Sequence, residues 1–144
     1  MKDLRRESLP APAESVEQQY LFQWARMQAG RWPELEMLYH VPNEGKRNPA
    51  AGARLVAEGL KRGVPDICLP VARGGCHGLY IELKRERGGV VSREQERWIR
   101  ALAQEGYCAA VCRGWEAAAK LILRYLAGEI GPDACGEERA GERG

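Results

Sequence analysis

Asp66, Glu82 and Lys84 are the residues whose types and spacing allow hydrolytic chemistry. Glu82 and Lys84 lie two apart in Leu79-Tyr80-Ile81-Glu82-Leu83-Lys84, where apolar and polar residues alternate. A strand there puts the acid and the lysine on one face, with Leu79, Ile81 and Leu83 on the other. Asp66 stands at the mouth of the preceding apolar run, Ile67-Cys68-Leu69. The loop from Val71 to Gly78, with three glycines, lets the two strands lie as neighbours, so the three side chains converge. Two carboxylates at one point repel unless a cation sits between them. Hard oxygen ligands suit Mg²⁺, which takes one or two carboxylates plus waters and phosphate oxygens. A lysine beside such an ion can act on the attacking water or offset charge developing on a phosphate. The chemistry described is metal-assisted hydrolysis of a phosphodiester.

The elements that must position these groups follow from periodicity and punctuation. Residues 1–14 are charged and contain proline, and read as a flexible arm. A first helix runs from Ser15 to Gln28, with Ser15 and Gln18 spaced for a capping box. Its apolar face carries Leu21 and Trp24, flanked by Tyr20. Glu36 to Val41 reads as a short strand, followed by the turn Pro42-Asn43-Glu44-Gly45. A short helix covers Ala50 to Glu58 and ends at Gly59. After the two site-bearing strands, Gly88-Gly89 is a turn and Ser92 caps a helix to Gln104. Tyr107 to Cys112 is a fourth strand, whose small residues suit cover on both faces. Gly114 to Leu126 is the last helix. Residues 129–144 read as a disordered tail. The order predicts an α/β core in which helices flank a mixed four-stranded sheet: αβββαβ, with an extra helix between the first two strands. One domain, 15–128, holds it.

Other residues carry two readings each. Glu17 falls on the same helical face as Leu21 and Trp24. It is either a helix-start acid favoured by the macrodipole or a third acid at the metal. Gln95 sits three residues after Ser92, where it closes a capping box or reaches the site to orient water or phosphate. His40 ends its strand and is either structural or a DNA contact. Lys46, Arg47, Arg54, Lys61 and Arg62 form a basic cluster just before Asp66. They suit phosphate contacts that position DNA without reading its sequence.

Pro65-Asp66, a step of 16 residues, then Glu82-Leu83-Lys84 resembles the PD-(D/E)xK nuclease motif. Several segments around it come in family order: Pro42-Asn43-Glu44-Gly45, the run Gly59 to Ile67, the run Gly78 to Lys84, Ser92-x-x-Gln95-x-x-Trp98, and Gly106-Tyr107. Together they resemble the virus-type replication-repair nuclease (VRR-NUC) domain, of the compact standalone kind found in phages and bacteria. The resemblance runs from about Ser15 to Leu126. It implies the restriction-endonuclease-like fold and Mg²⁺- or Mn²⁺-dependent cleavage of DNA. Asp66 and Glu82 would hold the metal, completed by the Leu83 carbonyl. Glu17 would be the auxiliary acid, and Lys84 the base or charge stabiliser. Glutamine at the Gln95 position lies near the active site in that family. The resemblance further implies action on branched DNA such as four-way junctions; two incisions per junction against one Asp66/Glu82/Lys84 set per chain then point to a homodimer. The rival readings are a flap or restriction-type nuclease and a non-catalytic DNA-binding protein of the same fold.

Composition agrees with a polyanion partner. The 144 residues carry a net charge of only +2, but the charge is uneven. Glu44 to Arg100 holds 12 Lys/Arg against 7 Asp/Glu, and the remainder 10 against 13. The motif-bearing half is thus the basic one. The first residues lack the apolar stretch of a secretory signal, and no apolar run approaches a membrane span. A cytoplasmic protein with its five cysteines reduced is expected. Cys76-His77 lacks the paired spacing of a zinc site.

Overall fold

The computed structural model describes residues 13–42, 49–135 and 137–139. Its centre is a five-stranded sheet in the order β1-β2-β3-β4-β5. The strands are β1 (Tyr39–His40), β2 (Ile67–Leu69), β3 (Leu79–Lys84), β4 (Cys108–Arg113) and β5 (Glu137–Arg139). β1, β2 and β3 run antiparallel to their neighbours, and β3, β4 and β5 run parallel. The helices are α1 (Glu14–Gln28), α2 (Pro49–Ala57), α3 (Arg93–Gln104) and α4 (Trp115–Leu126). The expected mixed sheet with flanking helices is present.

The two faces of the sheet do different work. Ile67, Leu69, Leu79, Ile81, Leu83, Cys108, Ala110 and Cys112 alternate onto one face and are buried. With Leu21 and Ala25 of α1 and Ala118, Leu121, Ile122 and Tyr125 of α4, they form one core. Each fully buried Leu or Ile there contributes about 1.5–3 kcal/mol. α3 packs against β4 on the other face, where Val111 lies opposite Glu82. A parallel pair such as β3–β4 needs a crossover, and α3 provides it.

β2 turns into β3 through a small hairpin in which Arg73 and Cys76 exchange backbone hydrogen bonds of 3.2 and 2.8 Å. Gly74 and Gly75 between them both have positive φ, 58° and 85°, as a tight primed turn demands. This return lays Asp66, just before β2, beside the end of β3. Gly63 (φ 87°) is a second fixed point. A Cβ there would lie 2.5 Å from the Glu94 carbonyl carbon, so only glycine lets the Gly63-Val64-Pro65-Asp66 turn sit against the start of α3.

Several elements differ from the sequence expectation. α1 starts at Glu14 with Ala13 as its cap, and no side chain caps it, so the Ser15–Gln18 box does not form. Glu36 and Met37, at the start of the expected first strand, instead close a 3-10 turn, Pro33–Met37, which buries Leu35; only Tyr39–His40 pairs with β2. In the stretch expected to be a disordered tail, Pro132–Ala134 forms a 3-10 turn and β5 pairs with β4. Cys135 there is joined to Cys108 by a disulfide with a Cα–Cα distance of 5.7 Å, against the expectation of reduced thiols. Closing a loop over a sequence separation of 27 residues is worth about 3.5 kcal/mol in the chain-entropy picture. Cys68, Cys76 and Cys112 are free and buried. Among the described residues, no helix is long and apolar enough to cross a membrane.

Candidate active site

The polar face of β3 carries the site. Glu82 and Lys84 are both buried, and so is Asp66. Asp66 is pinned twice. Its carboxylate Oδ2 accepts the Leu83 N–H at 3.0 Å. Its carbonyl accepts the Val41 N–H at 2.6 Å. β1 thereby holds the turn, and the β3 backbone holds the side chain.

Glu82 is the electrostatic centre. Its Oε1 accepts Gln95 Nε2 at 2.8 Å and lies 3.6 Å from Lys84 Nζ. Its Oε2 is buried without a hydrogen-bond partner. Burial pushes its pKa up from 4.5 to about 8, and the Asp66 carboxylate adds to the rise; the Lys84 charge works against it. A buried carboxylate oxygen without a partner is costly. The Asp66 side chain raises the Glu82 pKa both by its charge and by a side-chain hydrogen bond, and a cation between two such carboxylates would remove the repulsion. The donor set fits a hard divalent ion.

Gln95 does two jobs at once. The capping box is complete: Ser92 Oγ accepts the Gln95 N–H at 3.1 Å, and Gln95 Oε1 accepts the Ser92 N–H at 2.8 Å. The same side chain's Nε2 then donates to Glu82. The cap fixes the amide's rotation, so its donor can only point at the carboxylate. The two sequence readings of this residue are one structure.

The acids of α1 divide differently from expectation. Glu17 is buried, and its Oε2 accepts the N–H of Trp115, the first residue of α4. The α4 cap is Gly114, which has no side chain to give, so α1 supplies the acceptor that the helix start lacks. Burial pushes the Glu17 pKa up and the bond to Trp115 pulls it down. Glu17 is therefore committed to α4. Among the described residues, no three His, Cys, Asp or Glu side chains gather as a metal-binding group. The α1 acid that reaches the site is Glu14, which the sequence reading left in the flexible arm. Its Oε1 lies 3.9 Å from Lys84 Nζ, and its charge adds to the rise at Glu82. Lys84 thus stands between Glu82 and Glu14. The signal was available: Glu14 is seven residues before Leu21, two turns along the same helical face.

The remaining candidates lie around this centre. His40 is exposed on β1, paired with Ile67. Arg54, Lys61 and Arg62 are exposed, and Arg54 Nε pairs with Glu58 at 3.0 Å. Lys46 and Arg47 lie outside the described residues. The backbone N–H of Leu83 holds Asp66.

The VRR-NUC domain profile matches residues 12–116. A solved structure of a VRR-NUC domain protein is similar, with a TM-score of 0.71 and 30% sequence identity over 83% of this chain and 92% of that one. No curated protein shows significant sequence similarity to the chain. The matched span contains Glu14, Asp66, Glu82, Lys84 and Gln95, the groups that the fold brings together. The chain belongs to the VRR-NUC family of nuclease domains.

Proposed function

We propose that the protein is a metal-dependent, structure-selective DNA endonuclease that acts as a homodimer on four-way junctions. The observation that carries the reading is Glu82. A buried carboxylate with an open oxygen, pushed up to about 8 beside Asp66 and 3.6 Å from Lys84, is poorly suited to stability and well suited to holding a divalent cation. Asp66 and Glu82 would hold Mg²⁺ or Mn²⁺, with the Leu83 carbonyl as a third ligand. When bound, the ion supplies Lewis acidity and lowers the pKa of water.

The chain's own residues do the rest. Gln95 and Lys84 fix the Glu82 carboxylate through Oε1 and leave Oε2 for the ion. Lys84 offsets charge on the phosphate or takes the proton of the attacking water, and Glu14 keeps it in place. Arg54, Lys61 and Arg62, with Lys46, Arg47 and His40, supply phosphate contacts. The Arg54–Glu58 pair is exposed and worth little, so the arginine can exchange its partner for a phosphate. One chain holds a single set of these groups, and resolving a junction takes two incisions; a two-fold dimer presents two sites to a pseudo-symmetric substrate. The proposal places the chain in the cytoplasm of a bacterial or phage-infected cell. The Cys108–Cys135 disulfide is a bond that an oxidising environment favours.

The test is an assay of the purified protein with Mg²⁺ on flap, splayed, linear and four-way DNA, with sedimentation at the same concentration. A dimer making paired cuts on opposing strands of the junction is expected. A monomer that trims flaps and leaves junctions whole would overturn the resolvase reading and leave the nuclease reading standing.

A further inference from the structure

A cleft of about 700 Å³ lies between α1 and the outer edge of the sheet, lined by Gln18, Gln19, Phe22, Gln23, Arg26 and His40. Its size is that of a small-molecule site. The helical spacing explains the lining. Glu17, Leu21 and Ala25 form the buried stripe of α1. Gln18, Phe22 and Arg26 form the next stripe round, and Gln19 and Gln23 the one beyond. β1 is the edge strand and brings His40 to the other wall.

The cleft adjoins the active site. His40 pairs with Ile67, the neighbour of Asp66, and the next residue, Val41, donates its N–H to the Asp66 carbonyl. At the other wall, Gln18 is one helical turn beyond Glu14, which lies against Lys84.

The chemistry of the lining is unusual for a solvated face. Among the described residues, no Asp or Glu lines the cleft. Three glutamines do. Each amide carries a donor and an acceptor, so together they can serve the edge of any base. Phe22 is half-buried, packed on the core through one side, and an aromatic face is a sequence-tolerant platform for a base. Arg26 and His40 are cationic or proton-bearing groups suited to a phosphate.

We infer that this cleft is a nucleotide subsite, which takes an unpaired base of the DNA strand next to the scissile phosphate. The base lies against Phe22, its edge meets the glutamine amides, and the flanking phosphate meets Arg26 or His40. A base still paired in a duplex cannot enter, because its edge and both its faces are already engaged. The subsite therefore selects for a branch or splayed end and is indifferent to sequence. This rests on the nuclease reading for its substrate and adds to it the reason for structure selectivity.

The experiment uses the full chain with Ca²⁺ and two DNAs containing 2-aminopurine, whose emission falls when it stacks. In a splayed DNA the probe is the first unpaired nucleotide; in a duplex of equal length it is paired. Binding of wild type should quench the unpaired probe several-fold more than the paired one, and Phe22→Leu should remove most of that quenching. Phe22 touches the core, so Gln18→Ala/Gln23→Ala provides an independent arm. It should weaken binding of the splayed DNA fivefold or more, and its affinity ratio of splayed to duplex DNA should fall towards one. Melting curves check that the variants are folded. Binding that leaves the unpaired probe's emission unchanged overturns the subsite, as does an equal loss of affinity for both DNAs in the glutamine variant. Cleavage in Mg²⁺ is read separately. Quenching without cleavage would sink the nuclease reading and leave the subsite standing; cleavage without quenching does the reverse.

Discussion

Glu82 is expensive in the metal-free protein, and the expense has a sign. Its pKa in the fold is about 8, against 4.5 for the ordinary group. Between those values the native state holds a proton that the unfolded chain has released. Stability therefore falls as pH rises through that window. Glu17 is raised too, so wild type alone mixes the two. The difference between wild type and Glu82→Gln isolates Glu82. In metal-free buffer the urea midpoint of wild type should drop between pH 5 and pH 8, and the variant should drop less and be the more stable protein at pH 8. Parallel curves for the two would show that Glu82 is not strained. The pairing of Asp66 with Glu82 and Lys84 is legible from spacing, because a strand's alternation is rigid. The division of labour between Glu14 and Glu17 is not. It depends on Gly114 leaving the start of α4 without a cap, and nothing near Glu17 in sequence records that.

At the scale of elements, α3 is the arm that holds the site from the far face of the sheet. Its first turn both starts the helix and aims an amide at Glu82. The variant Gln95→Glu separates the two roles. A carboxylate oxygen still accepts the Ser92 N–H, but no donor remains for Glu82 and a like charge is added. Melting temperature should stay closer to wild type than in Gln95→Ala, which loses about 1 kcal/mol of capping. Cleavage should still fall tenfold or more. Activity that follows stability alone across the two variants would reduce Gln95 to a cap. β2 and β3 were readable because Pro65 and the loop glycines bound them, β2 as a short continuous apolar run and β3 by alternation. β1 was overdrawn at its start, where Glu36 and Met37 close a 3-10 turn, because periodicity cannot separate short apolar runs. β5 has no apolar signal at all: Glu137-Glu138-Arg139 is held by its parallel pairing with β4, and Cys135 just before it is tied to the core through Cys108. Such a strand is invisible to patterning.

The whole molecule is nearly neutral, yet its basic half is the half that bears the site. Binding to DNA should therefore be electrostatic and indifferent to base sequence. Each phosphate neutralised contributes roughly −0.9 to the slope of log K against log salt. Measured in Ca²⁺, affinity should fall steeply with salt, and Lys61→Ala/Arg62→Ala should flatten the slope by one to two such units. Affinity that is constant with salt, or concentrated on one short linear sequence, would point to a base-reading protein instead. The central claim is that Asp66, Glu82 and Lys84 form one metal-dependent hydrolytic centre. The most direct measurement is the single-turnover rate of cleavage of branched DNA in Mg²⁺ by wild type, Asp66→Ala, Glu82→Ala and Lys84→Ala, each shown to be folded and DNA-binding. The account predicts cleavage by wild type that EDTA abolishes, and a loss on the order of 10²-fold or more in every variant. Near-wild-type rates in the two carboxylate variants, or undiminished cleavage in EDTA, would contradict it.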